Sequence, residues 1–247
     1  DALVRWESQA ANRINRIHAR MPSAWAIQPT TNGITLDALV ALHDTVRREA
    51  APLEARYWAL LRQRLQQPEK PLTWADRHVL RPINGYFTWQ DACQMVEAAL
   101  EAFNPQWAAF FRQLLLEKRI HATPGMGKYP GACCYHEKNM GPLILMSFHN
   151  SLGCVFTLMH EVGHACHMLS DLQTNGKGHH MPRTLHAEVA SLSAEWALFR
   201  HLRMRHCPYN PRELVRFMLS RAFNNLTRQI AFSQFERHVH LLASDEE

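Results

Sequence analysis

Apolar residues recur at intervals of three and four along most of the chain, and that period predicts helices. Between Leu36 and Leu65 the stripe reads Leu36, Leu39, Val40, His43, Val46, Leu53, Tyr57, Leu60 and Leu61, with Pro52 as a kink or break, and it predicts a buried packing face. A second helix is expected to start after the cap residue Thr88 and run to about Glu117, interrupted near Asn104-Pro105. Between Thr123 and Asn150 the period is lost. Pro124, Gly125, Gly127, Pro130, Gly131 and Gly141-Pro142 bracket short apolar runs, and Leu143-Ile144-Leu145-Met146 reads as a strand in a small hairpin or sheet edge. Helices are then expected over roughly Ser151 to Leu169, Arg183 to Arg205 and Pro211 to Leu242, with a glycine-containing loop at Asn175 to Gly178. The fold class is mainly α: a helical core with a small sheet over 123–150.

Composition narrows this picture without redirecting it. The 247 residues are 47% hydrophobic and 20% charged, which suits a globular domain and excludes a disordered or fibrous chain. No apolar run reaches the roughly 18 residues that a membrane-spanning helix needs. The net charge of +5 comes from scattered residues, with Arg47-Arg48 and the Arg200 to Arg205 stretch as local concentrations. No nucleic-acid-binding signature accompanies them, so neither nucleic acid nor membrane is an expected partner. Six cysteines without a CxxC pair point to reduced thiols and a cytoplasmic setting.

Chemistry concentrates in His160-Glu161-Val162-Gly163-His164, an HExxH pentapeptide inside a helical run. Residues four apart differ by about 40° around a helix axis, so His160 and His164 project to one side and converge on one ion. Val155, Leu158, Met159, Val162, Cys166 and Leu169 give the same helix apolar surface with which to anchor. A catalytic zinc takes three protein ligands and keeps one position for water. Glu188, in Leu185-His186-Ala187-Glu188-Val189-Ala190-Ser191, offers the third. Imidazole and carboxylate donors suit zinc better than magnesium or calcium, so one Zn2+ per chain is the expected cofactor. Glu161, beside the ion and not bound to it, is the general base and acid.

Gly131-Ala132-Cys133-Cys134, Leu143 to Phe148, the stretch Val155 to His167 and Glu188-Val189-Ala190-Ser191 together resemble the oligoendopeptidase F and thimet oligopeptidase family. In that family the motif extends to HExGHxxH, and a glutamate on the next long helix is the third ligand. Here Glu188 follows His164 by 188 − 164 = 24 residues, about the family's spacing. Arg228-Gln229 with Phe232, Phe235 and Glu236 is similar to the family's helix downstream of the metal site.

The resemblance implies a helical, zincin-type metallopeptidase core with a small sheet beside the active-site helix. That core cleaves short peptides in a deep channel, and Gly131 with the Leu143 to Phe148 strand forms the edge that pairs with the substrate backbone. It also implies that 1–247 is part of one helical catalytic domain, truncated at both ends, with zinc-binding helices over 151–205. The tyrosine- and histidine-rich segment that stabilises the oxyanion would lie beyond Glu247, so the chain is expected to bind zinc yet turn over slowly. His167, seven positions after His160, and Ser191, one turn after Glu188, are candidates to support the ligands. Ala132, Tyr135, His136 and His149 join Gly131 as candidates to touch substrate. Glu195, two turns beyond Glu188, either reaches the site or is a surface charge or structural ion pair; His179 and His180 read as loop residues, with substrate contact as the alternative, and Cys133-Cys134 as small buried filling. Two other readings stand beside the endopeptidase: a metallocarboxypeptidase on a related helical fold, and an inactive zinc-stabilised peptide-binding module.

Overall fold

The computed structural model describes residues 33–66, 85–137, 141–176, 184–204 and 210–244, and helices dominate it. They are α1 (Leu36–Leu65), α2 (Trp89–Phe103), α3 (Pro105–Leu116), α4 (Leu152–Asn175), α5 (Thr184–Met204), α6 (Pro211–Phe223) and α7 (Gln229–Ser244). A π-helical turn at Asn224–Arg228 joins the last two, and three short strands, β1 (Ile120–His121), β2 (Ala132–Glu137) and β3 (Gly141–Met146), lie between α3 and α4 in sequence. The mainly α architecture expected from the periodicity is the one observed. Contacts divide the chain into two compact units, one drawn from residues 1–80 and 218–247 and the other from 81–217.

In the 81–217 unit, caps set the helix boundaries. The Thr88 hydroxyl accepts from the Asp91 N–H at 3.1 Å while the Asp91 carboxylate accepts from the Thr88 N–H at 2.9 Å, a reciprocal capping box. Asn104 then ends α2 and starts α3: its amide donates to the Leu100 carbonyl, and its side chain accepts from Gln106 and Trp107. Pro105 follows at the first helical position, where a missing N–H costs nothing. The expected interruption is therefore a clean break between two helices. Their apolar faces bury Val96, Ala99, Leu100, Phe111 and Leu114. The most extensive helix–helix contact in the unit is that of α4 with α5; α2 packs on both, and β2 and β3 pack against α4.

The expected sheet edge needs correction. Strand order is β1-β3-β2, with β1 parallel and β2 antiparallel to β3, so β3 is central and has no open side. A short continuous apolar run marks such a strand, because Pro142, Ile144 and Met146 are buried beneath it and both flanks are paired. The edge belongs to β2. Helix α4 also runs on to Asn175, past the expected end at Leu169, with the Ser170 and Thr174 hydroxyls satisfied on the carbonyls of Cys166 and Ser170 instead of capping the helix. Gly176, at φ 78°, then caps it.

In the other unit, α1 starts at a Thr35 cap, passes through Pro52 without ending and stops at Gln66 in the left-handed region. Its stripe is not the buried face expected. His43 and Leu61 are buried, whereas Leu53 and Leu60 are 56% and 66% exposed. Periodicity selects which side of a helix is apolar, not whether a neighbour covers it. The Tyr57 hydroxyl meets Ser220 Oγ at 2.7 Å and its ring packs on Phe223 at 4.8 Å, tying α1 to the α6 end of this unit.

Candidate metal centre and active site

Val155, Leu158, Met159, Val162 and Cys166 are fully buried and hold α4 rigidly, with His160 and His164 on its other side. Gly163 lets α5 come close. A Cβ there would lie 2.8 Å from Ser191 Cα, 3.0 Å from Ala194 Cβ and 3.2 Å from the Ala190 carbonyl oxygen. The glycine inside the motif is thus the point at which the two helices touch, and that approach delivers Glu188 to the histidines.

His160 Nε2 and His164 Nε2 stand 3.1 Å apart; Glu188 Oε2 is 3.5 Å from the first and Oε1 3.7 Å from the second. A donor atom from each of the three residues falls within 4.8 Å of the others. Tetrahedral zinc with bonds of about 2.05 Å has ligand–ligand edges of about 3.3 Å, so the donor set fits zinc in type and in spacing. The His160 tautomer agrees. Its Nδ1 donates to Glu195 Oε1 at 2.8 Å, which turns the Nε2 lone pair toward His164 Nε2, 3.1 Å away, where a proton or a cation lies between the two nitrogens.

Electrostatics point the same way. Burial alone would depress His160, but its hydrogen bond to Glu195 and the charges of Glu161, Glu195 and Glu188 lift it above the ordinary imidazole value. His164 is pushed down by burial and by the charge of His160. Burial raises Glu161 to about 7; His160 opposes the shift and the carboxylates of Glu188 and Glu195 add to it. Three carboxylates crowd two imidazoles, and a divalent cation neutralises that excess.

The other candidates fall into place around this cluster. Ser191, fully buried, donates to Glu188 Oε2 at 3.0 Å and so holds the carboxylate. His167 is half-buried next to His164 and lies outside the group of converging donors. On β2, Cys134 faces Glu161 and Cys166, which puts the inner row of that strand beside α4. Alternation assigns Ala132 and His136 to the same inner row and Cys133 and Tyr135 to the outer one. Gly131 accepts from the Ser147 N–H at 3.2 Å, so Gly131, Cys133 and Tyr135 turn their backbone groups toward β3. Ala132, Cys134 and His136 therefore present theirs at the open edge. Tyr135 and His149 are exposed, and His179 and His180 lie outside the described residues.

Sequence reasoning left one residue of this cluster undecided and passed over a structural one near it. Glu195, weighed between the site, a structural ion pair and a surface charge, is 2% exposed and bonded to His160. A signal existed: it shares the buried line of α5 with Ser191, Ala194, Leu198 and Leu202. Lys128 gave none. Its ammonium binds the carbonyls of His121, Thr123 and Met146, pinning the segment that leads to Gly131 against the sheet.

An HExxH helix crossed closely by a second helix that brings a glutamate is the arrangement of the helical, zincin-type metallopeptidases. The model of Peptidase family M3 matches residues 23–247, and the chain belongs to that family. It is 30% identical over 178 residues to the oligoendopeptidase F homolog of Mycoplasma pneumoniae, covering 68% of this chain and 28% of that protein. With oligopeptidase PepF of Bacillus subtilis it shares 25% over 198 residues, 79% of this chain and 29% of that one. The chain thus spans less than a third of the length of these relatives. The solved structure of PZ peptidase A with an inhibitor has the same fold, with a TM-score of 0.78 at 17% identity, over 96% of this chain and 44% of the other.

Proposed function

We propose that this chain carries the core of a zinc-dependent metalloendopeptidase that hydrolyses internal bonds of short peptides. The convergence of His160, His164 and Glu188 within 4.8 Å, with the buried Glu161 as their neighbour, carries the reading. The names of its relatives, oligoendopeptidase and oligopeptidase, support peptide substrates.

His160, His164 and Glu188 would hold the zinc, one ion per chain. When bound, the ion supplies Lewis acidity that polarises a peptide carbonyl and acidifies water. Glu161 takes the proton of the attacking water at its carboxylate and passes it to the departing amine nitrogen. The outward N–H and C=O groups of Ala132, Cys134 and His136 pair with an extended peptide as an added strand, which aligns its backbone irrespective of side chains. Their strand lies against the helix that carries Glu161, so a peptide paired there runs alongside the site.

Metal analysis with a quenched-fluorescent peptide assay tests the reading. One zinc per chain is expected, with cleavage abolished by a chelator and restored by zinc. Glu161→Gln is expected to keep the zinc and to lose at least about 10²-fold in turnover. A C-terminally amidated peptide is cleaved as fast as the free acid; strict dependence on a free C-terminus would instead make the enzyme a carboxypeptidase. Chelator-insensitive cleavage would overturn the zinc assignment.

A further inference from the structure

Glu195 is a buried carboxylate with no task in the chemistry above. It lies two helical turns after Glu188 on α5 and is 2% exposed, between Ala194 and Leu198, whose exposure is 0%. Withdrawing a carboxylate from water to that depth is costly unless a specific partner answers it, and an apolar side chain of similar size would pack there without that cost. One such partner is His160, whose Nδ1 stands 2.8 Å from Glu195 Oε1 on the side of the ring opposite the Nε2 that faces His164.

Resting on the zinc reading, we propose that Glu195 is a positioning residue for the metal: it locks His160 in the Nδ1–H tautomer, fixes the plane of its ring and makes Nε2 a stronger donor. An imidazole free to choose its tautomer spends part of its time with a proton where the metal must sit, and one free to rotate must be ordered on binding. Ser191 serves Glu188 in the same way, donating to Oε2 at 3.0 Å. One face of α5 therefore carries a ligand, the hydroxyl that holds it and the carboxylate that orients a ligand on the neighbouring helix, at positions 188, 191 and 195.

The test compares the full chain with Glu195→Leu and Glu195→Gln. Zinc affinity is measured by competition with a chromophoric chelator, metal-free stability by thermal melting, and the His160 tautomer by imidazole nitrogen NMR of the metal-free proteins. The leucine variant is expected to bind zinc about 10- to 100-fold more weakly than wild type, with the glutamine variant, which keeps an acceptor for Nδ1–H and melts near wild type without metal, between the two. In the leucine variant His160 is expected to populate both neutral tautomers where wild type shows Nδ1–H alone. Wild-type affinity in both variants, or a loss that merely follows unfolding of both metal-free variants, overturns the proposal. A wild-type chain that binds no zinc defeats the zinc reading itself, so the two failures are told apart.

Discussion

Glu161 sits 6% exposed on a helix that cannot move away from it, and burial holds its carboxyl at about 7. Its ordinary value is 4.5, so without metal the folded chain keeps a proton that the unfolded chain releases. Between about pH 4.5 and 7 the folded state binds more protons, and its stability falls as pH rises through that window. His160, raised above its ordinary value, adds in the same direction: its contribution is complete at low pH and is lost as it deprotonates in the folded state. Glu161→Gln removes the carboxylate's part of this cost. In the metal-free chain the variant is expected to match wild type near pH 4 and to exceed it at pH 8 by up to about 3 kcal/mol, read from denaturant melts at the two pH values. An equal gain at both would show that packing, and not ionisation, is responsible.

Between elements, the approach of α4 to α5 decides whether candidate ligands 24 and 28 residues apart can meet at all. Gly163 permits it, and Gly163→Ala would place a methyl 2.8 Å from the Ser191 backbone. The helices must separate, because backbone cannot rotate out of the way as a side chain can. The expected cost is about 1–3 kcal/mol in thermal stability of the metal-free chain, together with at least about tenfold weaker zinc binding, though no ligand is touched. Zinc affinity unchanged in a destabilised variant would separate the crossing from the site. Caps belong to this scale too. Thr88→Ala removes the hydroxyl that accepts from the Asp91 N–H at the start of α2, and about 1 kcal/mol of stability is expected to go with it, with zinc affinity untouched.

For the molecule as a whole, the edge of β2 is the surface on which, in the proposed function, an extended peptide finds backbone partners. Edge groups at Ala132, Cys134 and His136 recur every second residue, so a peptide paired there commits alternate N–H groups to the strand. A series of otherwise identical peptides, each with one N-methylated amide, is expected to show KM rising at alternate positions and unchanged between them. Flat KM across the series would remove strand addition from the binding mode. The metal acts on the same unit from the other side: zinc is expected to raise hydrogen-exchange protection most in Leu152–Asn175 and Thr184–Met204, the two helices its ligands join.

Local chemistry wrote much of this into the chain. The Thr88 cap, the break at Asn104-Pro105 and the HExxH helix rest on contacts within a few residues, and the strand at Leu143 to Met146 on an apolar run bounded by Gly141-Pro142, which is why spacing and residue type reveal them. The pairing of Glu188 with the two histidines was legible for a different reason: resemblance supplied the distance between helices that periodicity lacks. What only the tertiary structure decided are the facts that need a second element. Apolar residues on α1 remain exposed where periodicity expected burial, because a stripe does not specify its cover. The edge moved from β3 to β2, because strand order depends on which segments pair across the sheet. And Glu195 was settled between surface, ion pair and site, because one carboxylate among twenty-two acidic residues becomes an imidazole's partner only when packing of another helix brings that ring within 2.8 Å of it.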